Sequence, residues 1–244
     1  MPLHVKLNPN PTVEQVPLGG RAFAVTIDDF LANPDELVDY AADHVGDFFT
    51  PEHGYPGMNL VLPLPALDAF HRFILKKMGP TFGFLRGGAT FGTGLSMVTF
   101  PEERLQNFQR LCHTDPRDSA ERVKFATMVY LFDDPDLGGT AFYRWKKPEV
   151  IHEALALEMR DPAATTALLA EHCEAFRQPP RYLTGSNELA EQIAVVPPRF
   201  NRLIAYSGEV PHSGYITKPE RLTQDVRKGR LTLNCFASVI PKSS

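Results

Sequence analysis

Hydrophobic positions fall into two regimes, helical spacing in the first third of the chain and short β-like runs after it. Leu37, Tyr40, Ala41 and His44 share one helical face. The predicted helix starts near Pro34, with Asn33 as its cap and Pro34 supplying a pre-set φ. Leu67, Phe70, Phe73 and Ile74 form a second stripe, within a helix predicted over Ala66 to Met78. Ala22 to Ile27 reads as a short strand, and Pro51 to Leu64, rich in proline and glycine, as a loop.

From Leu95 onward the best strand candidates are Leu95 to Phe100, Phe125 to Phe132, Thr140 to Tyr143, Leu203 to Tyr206 and Arg230 to Ser238. Gly138-Gly139 and Gly229 punctuate them. Glu149 to Gln192 interrupts the series. Within it, Ile151 to Met159 and Ala163 to Phe176 are rich in Ala, Leu and Glu, which predicts a helical insert. Helices first, then strands closing on themselves around an insert, describe a mainly β fold with flanking helices, a sandwich or barrel. The expected layout is one domain over 1–244. A helical lead-in spans 1–94 and a β core spans 95–244, with the insert at about 149–192.

Composition narrows the setting. The 244 residues are 43% hydrophobic and 22% charged, with a net charge of -4, and carry no basic footprint for nucleic acid or an anionic membrane. Cys112, Cys173 and Cys235 are scattered, which predicts free thiols in a reducing compartment. Met1 to Gln15 lacks the apolar core of a signal peptide, and no run of about 18 apolar residues occurs. The expectation is a cytoplasmic protein that binds neither nucleic acid nor membrane.

The candidate chemistry is a metal site. His113-Thr114-Asp115 places two donors at i and i+2, on the same side of an extended strand. His212 lies 97 positions beyond Asp115, in Pro211-His212-Ser213-Gly214, where a rigid turn at a strand end can hold a third donor. Two histidines and one carboxylate are the facial set that holds ferrous iron while leaving coordination positions open. Arg230, in Gly229-Arg230-Leu231-Thr232-Leu233, adds a fixed cation for an organic carboxylate, which points to 2-oxoglutarate bound on iron. His4, His44, His53, His71, His152 and His172 have no partner pattern and read as surface or helix-face residues. Taken singly, Asp115 before Pro116 also reads as a turn residue, as does His212.

On these residues the chain resembles the iron(II)- and 2-oxoglutarate-dependent dioxygenases, nearest the prolyl-4-hydroxylase-like branch. Met97 to Asp115 resembles the family's approach to its metal. Ala126 to Leu131 with Gly138 to Phe142 resembles the next hairpin, Asn201 to Gly214 the strand and turn of the second histidine, and Gly229 to Ser238 the closing strand. Val25 to Ala41 is similar to the helical lead-in. The resemblance implies a double-stranded β-helix (jelly roll), with His113, Asp115 and His212 as catalytic iron ligands. It further implies 2-oxoglutarate held by Arg230 and Thr232, and hydroxylation of a small-molecule or peptide substrate by O2. Halogenating relatives lack the carboxylate that Asp115 supplies, so hydroxylation is the expected outcome.

Two departures stand out. The family's cosubstrate cation usually follows the second histidine by about ten residues. Arg221 fits that spacing, whereas Arg230 fits the strand alternation, and the strand context selects Arg230. Where relatives carry a tyrosine before the turn leading to His-x-Asp, this chain has Phe100. Tyr130 is a substitute hydroxyl or an ordinary strand aromatic. Tyr55-Pro56-Gly57-Met58-Asn59, Tyr143-Arg144-Trp145 and the insert are candidates for the substrate entrance. Trp145 among Arg144, Lys146 and Lys147 suits an anionic or peptide substrate, or is a solvated basic loop around one packed aromatic. Two other readings remain: a cupin-like metal enzyme that does not use 2-oxoglutarate, and a non-catalytic jelly-roll binding protein. Homodimerisation through the N-terminal helices is compatible with the sequence and not required by it.

Overall fold

The computed structural model describes residues 3–52, 54–84 and 88–242; His53 lies outside them. The strands are β1 (Thr12–Pro17), β2 (Phe23–Asp28), β3 (Gly57–Val61), β4 (Thr90–Val98), β5 (Val123–Tyr130), β6 (Gly139–Trp145), β7 (Ala190–Val196), β8 (Leu203–Ser207), β9 (His212–Tyr215) and β10 (Arg230–Val239). They form a seven-stranded sheet, order β1-β2-β8-β5-β10-β4-β3, and a three-stranded sheet, order β7-β6-β9. Every strand pairing is antiparallel.

β10 shows why the layers form. Side chains alternate across a strand, and Leu231, Leu233, Cys235, Ala237 and Val239 join one buried core with Leu95, Met97, Phe125 and Val129 of its neighbours. Helices α1 (Pro34–Asp43) and α2 (Asp68–Phe73) cover that face through Leu37, Ala41 and Phe70. On the opposite face a second core joins Ala24, Ala126, Tyr130, Ile204 and Tyr206 of the large sheet to Phe142 and Val196 of the small one. Arg230, Asn234 and Phe236 look into a cavity on this same side.

α1 begins at Pro34 as expected, but Asn33 does not cap it. Its side chain accepts the Lys6 N–H at 2.9 Å and donates to the His4 carbonyl at 2.8 Å, tying the N-terminal segment across the helix start. The second predicted helix is segmented. α2 runs into a π turn at Ile74–Met78 and then α3 (Gly79–Phe82), with Ile74 and Met78 still buried. Pro80 explains the widening, because it has no N–H and its ring collides with the carbonyl four residues back.

The insert contributes α4 (Pro148–Glu158) and α5 (Pro162–His172). The Asp161 side chain caps α5, accepting the Ala164 N–H at 2.9 Å. Val150, Ile151, Ala154 and Leu169 pack with Leu111 and Leu189 in a separate small core. The predicted insert runs too long, since β7 opens at Ala190. Three other strands also correct the sequence reading. β1 is mostly exposed and polar, β3 sits inside the expected loop, and β9 is four residues long, so none carries an apolar alternation. The 1–94 lead-in therefore holds strands as well as helices. Among the described residues no helix is long and apolar enough to cross a membrane.

Candidate metal centre

His113, Asp115 and His212 meet at one point, with a donor atom of each within 4.8 Å of the others, a group able to hold a metal ion. Among the described residues they alone form such a group. His113 is not in a regular strand, contrary to the sequence reading. It makes an isolated bridge with His212, each N–H donating to the other's carbonyl, at 3.0 and 2.9 Å. The Asp115 N–H donates to the Gly208 carbonyl at 2.8 Å, so the extended segment is pinned at both donors by the turn leading into β9. The two imidazoles lie 4.6 Å apart, and Tyr206 meets the His212 ring edge-on at 4.7 Å.

His212 Nδ1 bonds to the Val210 carbonyl at 2.9 Å. A carbonyl only accepts, so Nδ1 carries the proton and Nε2 presents its lone pair, 3.9 Å from Asp115 Oδ1. Burial pushes His212 down to about 4. His113 also falls to about 4, first through burial and then through His212, against the pull of Asp115. His113 keeps solvent contact at the cavity mouth, which returns part of its lost hydration; His212 is 6% exposed and does not. Both rings are neutral at pH 7, as metal ligation needs. Burial raises Asp115, with His113 and Lys124 opposing. Asp115 Oδ2 is buried and has no hydrogen-bond partner. A carboxylate oxygen in that state is costly, and a cation beside it removes the cost.

The cavity at this centre has a volume of about 400 Å³ and holds Arg230 as well as the three donors. Arg230 is 3% exposed. Its Nε donates to the Gly138 carbonyl at 3.1 Å and Nη2 to the Gly139 carbonyl at 2.8 Å. No carboxylate among the described residues pairs with it, so a buried guanidinium stands with donors to spare. Gly138 makes the arrangement possible: its φ is 82°, and a Cβ there would lie 2.0 Å from the Tyr215 carbonyl oxygen. Thr232 is fully buried two residues on and donates to the Ser96 carbonyl at 3.2 Å.

The other predicted residues scatter. The Tyr130 hydroxyl pairs with Thr140 Oγ1 at 2.8 Å, and Thr140 rather than Tyr130 lines the cavity. Arg221 sits on the surface, paired with Asp134 and Asp136. Arg144 pairs with Glu191, Lys146 holds the Asn187 carbonyl, and Trp145 packs on the insert, so this basic group does not face the cavity. Sequence reading missed Ser96, Thr140, Tyr182, Tyr206 and Asn234 as cavity residues, and placed Tyr55 and Asn59 only at an entrance. The period-two alternation of β10, which puts Asn234 beside Arg230 and Thr232, was the signal that could have found Asn234.

The chain belongs to the family of unknown function DUF6445, whose profile matches residues 9–237. No curated protein matches it by sequence. Among solved structures it is similar to a prolyl-4-hydroxylase from Pseudomonas putida, at 13% identity over 91% of this chain and 95% of that one, with a TM-score of 0.42. It is also similar to HygX from Streptomyces hygroscopicus, solved with nickel and 2-oxoglutarate bound, at 16% identity over 89% of this chain and 82% of that one, with a TM-score of 0.43.

Proposed function

We propose that this protein is a non-haem Fe(II)- and 2-oxoglutarate-dependent oxygenase, one domain with a double-stranded β-helix core, that hydroxylates a small-molecule or peptide substrate. The observation that carries the reading is the pairing of two features in one cavity. Three metal donors lie within 4.8 Å of one another, and a buried arginine without a carboxylate partner shares their space.

His113, Asp115 and His212 would hold the metal through two neutral imidazoles and one carboxylate, the donor set suited to ferrous iron. Arg230 offers its planar fork to the distal carboxylate of 2-oxoglutarate, with Thr232 beside it. Tyr130 acts through Thr140, fixing that hydroxyl at the cavity wall. Iron and 2-oxoglutarate, when bound, would supply an oxidation that consumes O2, converts 2-oxoglutarate to succinate and carbon dioxide, and replaces a substrate C–H by a hydroxyl. The protein's part is geometric. Val210 sets the His212 tautomer, and Gly208 positions Asp115.

Anaerobic titration of metal-free protein with Fe(II) and 2-oxoglutarate tests this reading. The expected result is a visible charge-transfer band that His212→Ala abolishes and that Arg230→Gln reaches only at much higher cosubstrate. Tight iron binding without a band overturns it, and a metal enzyme of the cupin sort takes its place.

A further inference from the structure

Asp115 Oδ2, Asn59 Oδ1 and Asn234 Oδ1 are buried acceptors without a hydrogen-bond partner, and all three residues line the cavity that holds the metal donors. Asp115 belongs to the metal group. Of the two amides, Asn234 is the more deeply buried, 9% exposed. Folded proteins pair nearly all their buried polar groups, so an unpaired amide facing a cavity marks a place for a polar guest.

Strand register divides the cavity in two. Gly57 on β3 stands opposite Val98 on β4, and Val98 opposite Arg230 on β10, which puts Tyr55 at the Arg230 end. There the Tyr55 hydroxyl turns to Thr232 and Arg230. Asn234 and Phe236 follow along β10 toward the mouth, where Phe236 is 43% exposed. Gly94 and Met128 flank Asn234, and Gly92 and Ala126 flank Phe236. The two glycines put no side chain on this face, and a Cβ on Gly92 would meet nothing within 4 Å. Asp115 is tied to Gly208, whose N–H donates to the Lys124 carbonyl, two residues before Ala126. The metal donors therefore stand toward the Asn234 and Phe236 half, away from Arg230.

This outer half is apolar and uncharged. Phe108, Leu111, Pro116, Met128 and Phe236 line it. Apart from Asp115 and Arg230, no side chain lining the cavity carries a charge, since His113 and His212 are neutral. The basic group Arg144, Lys146 and Lys147 is engaged elsewhere. A charged group moved from water onto such a wall loses its hydration without gaining a counter-ion, whereas an apolar group gains by burial. We infer that the substrate presents an uncharged, mainly apolar group to this half of the cavity, bearing one neutral hydrogen-bonding function that the Asn234 amide reads. Asn234 is thereby a specificity-determining residue, and Phe236 the apolar wall at the entrance. That the bound group is then oxidised rests on the oxygenase reading above; that it binds here does not.

The test is calorimetric titration of the Zn(II)-loaded protein, in saturating 2-oxoglutarate, with phenylbutanamide, phenylbutylamine and phenylbutyrate, three probes on one carbon skeleton. The neutral amide is expected to bind about tenfold or more tighter than either charged probe. Phenylbutyrate is also titrated into Arg230→Gln, which separates an anion held by Arg230 from one held at the mouth. Asn234→Leu is expected to weaken the amide probe about tenfold and, having lost an unpaired buried amide, to be at least as stable as wild type in urea without ligand. Phe236→Glu, at the exposed mouth, is expected to turn the preference toward the amine. Equal affinity of the amide probe for wild type and Asn234→Leu overturns the role of Asn234, as does a marked loss of ligand-free stability in that variant, which would mean that the amide serves the fold. An amine, or a butyrate independent of Arg230, that binds wild type as tightly as the amide overturns the uncharged class. Failure of the oxygenase reading shows separately, as iron binding without a charge-transfer band; the expected probe ranking in such a protein supports the pocket chemistry and overturns the oxidation alone.

Discussion

Gly208 and Asp115 are in backbone contact, and the glycine has no side chain because the carboxylate occupies its place. The Asp115 N–H donates to the Gly208 carbonyl at 2.8 Å, and a Cβ on Gly208 would lie 2.4 Å from Asp115 Oδ2 and 2.8 Å from Asp115 Cβ. Gly208 in turn donates to the Lys124 carbonyl at 2.9 Å, so the turn cannot simply move away. The third donor, His212, starts β9 four residues later. One short turn therefore sets two of the three donors.

Gly208→Ala is expected to displace the Asp115 carboxylate and weaken Fe(II) or Co(II) binding by about 10–100-fold, the range for groups that orient a ligand. Metal titration by calorimetry checks this. Wild-type affinity would show that the turn yields to a methyl group and that Asp115 is positioned by other contacts.

His212→Ala is expected to abolish tight metal binding, and His71→Ala to leave it intact. His71 stacks on Phe91 and bonds to Thr93 away from the centre. Metal content after dialysis against a weak chelator distinguishes the two. Retention of stoichiometric metal by His212→Ala removes this histidine from the ligand set.

Arg230→Gln is expected to carry a stability cost separate from the cosubstrate effect that the proposed function assigns to it. It strips two buried hydrogen bonds from the Gly138 and Gly139 carbonyls, an expected loss of about 1–3 kcal/mol in urea unfolding. Arg221→Gln, at an exposed ion-pair cluster, is expected to cost about 0–1 kcal/mol and to leave 2-oxoglutarate binding unchanged. A larger cosubstrate defect in Arg221→Gln than in Arg230→Gln would return the cation role to Arg221.

Asp28 ties β2 to the approach to β8. It accepts hydrogen bonds from Arg202 at 2.6 and 2.9 Å and from Arg199 at 2.9 Å, and these hold its carboxyl below the ordinary value near 3.8. A lowered folded pKa means that the stabilisation is complete above about pH 4 and is lost as pH falls through the folded value. Asp28→Asn is expected to be about 1–2 kcal/mol less stable at pH 7. Unfolding curves of variant and wild type should converge below pH 4. A gap that persists into strong acid means that packing, not charge, accounts for the loss.

Much of the fold was legible because its strands follow a simple rule. β10 alternates Leu231, Leu233 and Cys235 with Arg230, Thr232 and Asn234, and burial on one face and a cavity on the other both follow from that period. β2, β5, β6 and β8 carry similar β-rich runs and were found within a few residues. β1, β3 and β9 were not, since an exposed edge, a strand between Pro56 and Pro63, and a four-residue strand have no pattern to display. Asn33 reads as a cap, yet its amide serves a contact with His4 and Lys6 that no local rule encodes.

The sequence by itself determined the kinds of chemistry available: the three donors His113, Asp115 and His212, an arginine in strand context at 230, and a mainly β core behind N-terminal helices. Those follow from residue type and spacing, which act locally. Only the tertiary structure decided which groups share a space. Strand register placed Tyr55 at the Arg230 end of the cavity, Thr140 took the hydroxyl of Tyr130, and the turn at Gly208 fitted itself around Asp115. These pairings join residues about 10 to 175 positions apart, and such contacts depend on how strands align rather than on any neighbour in the chain.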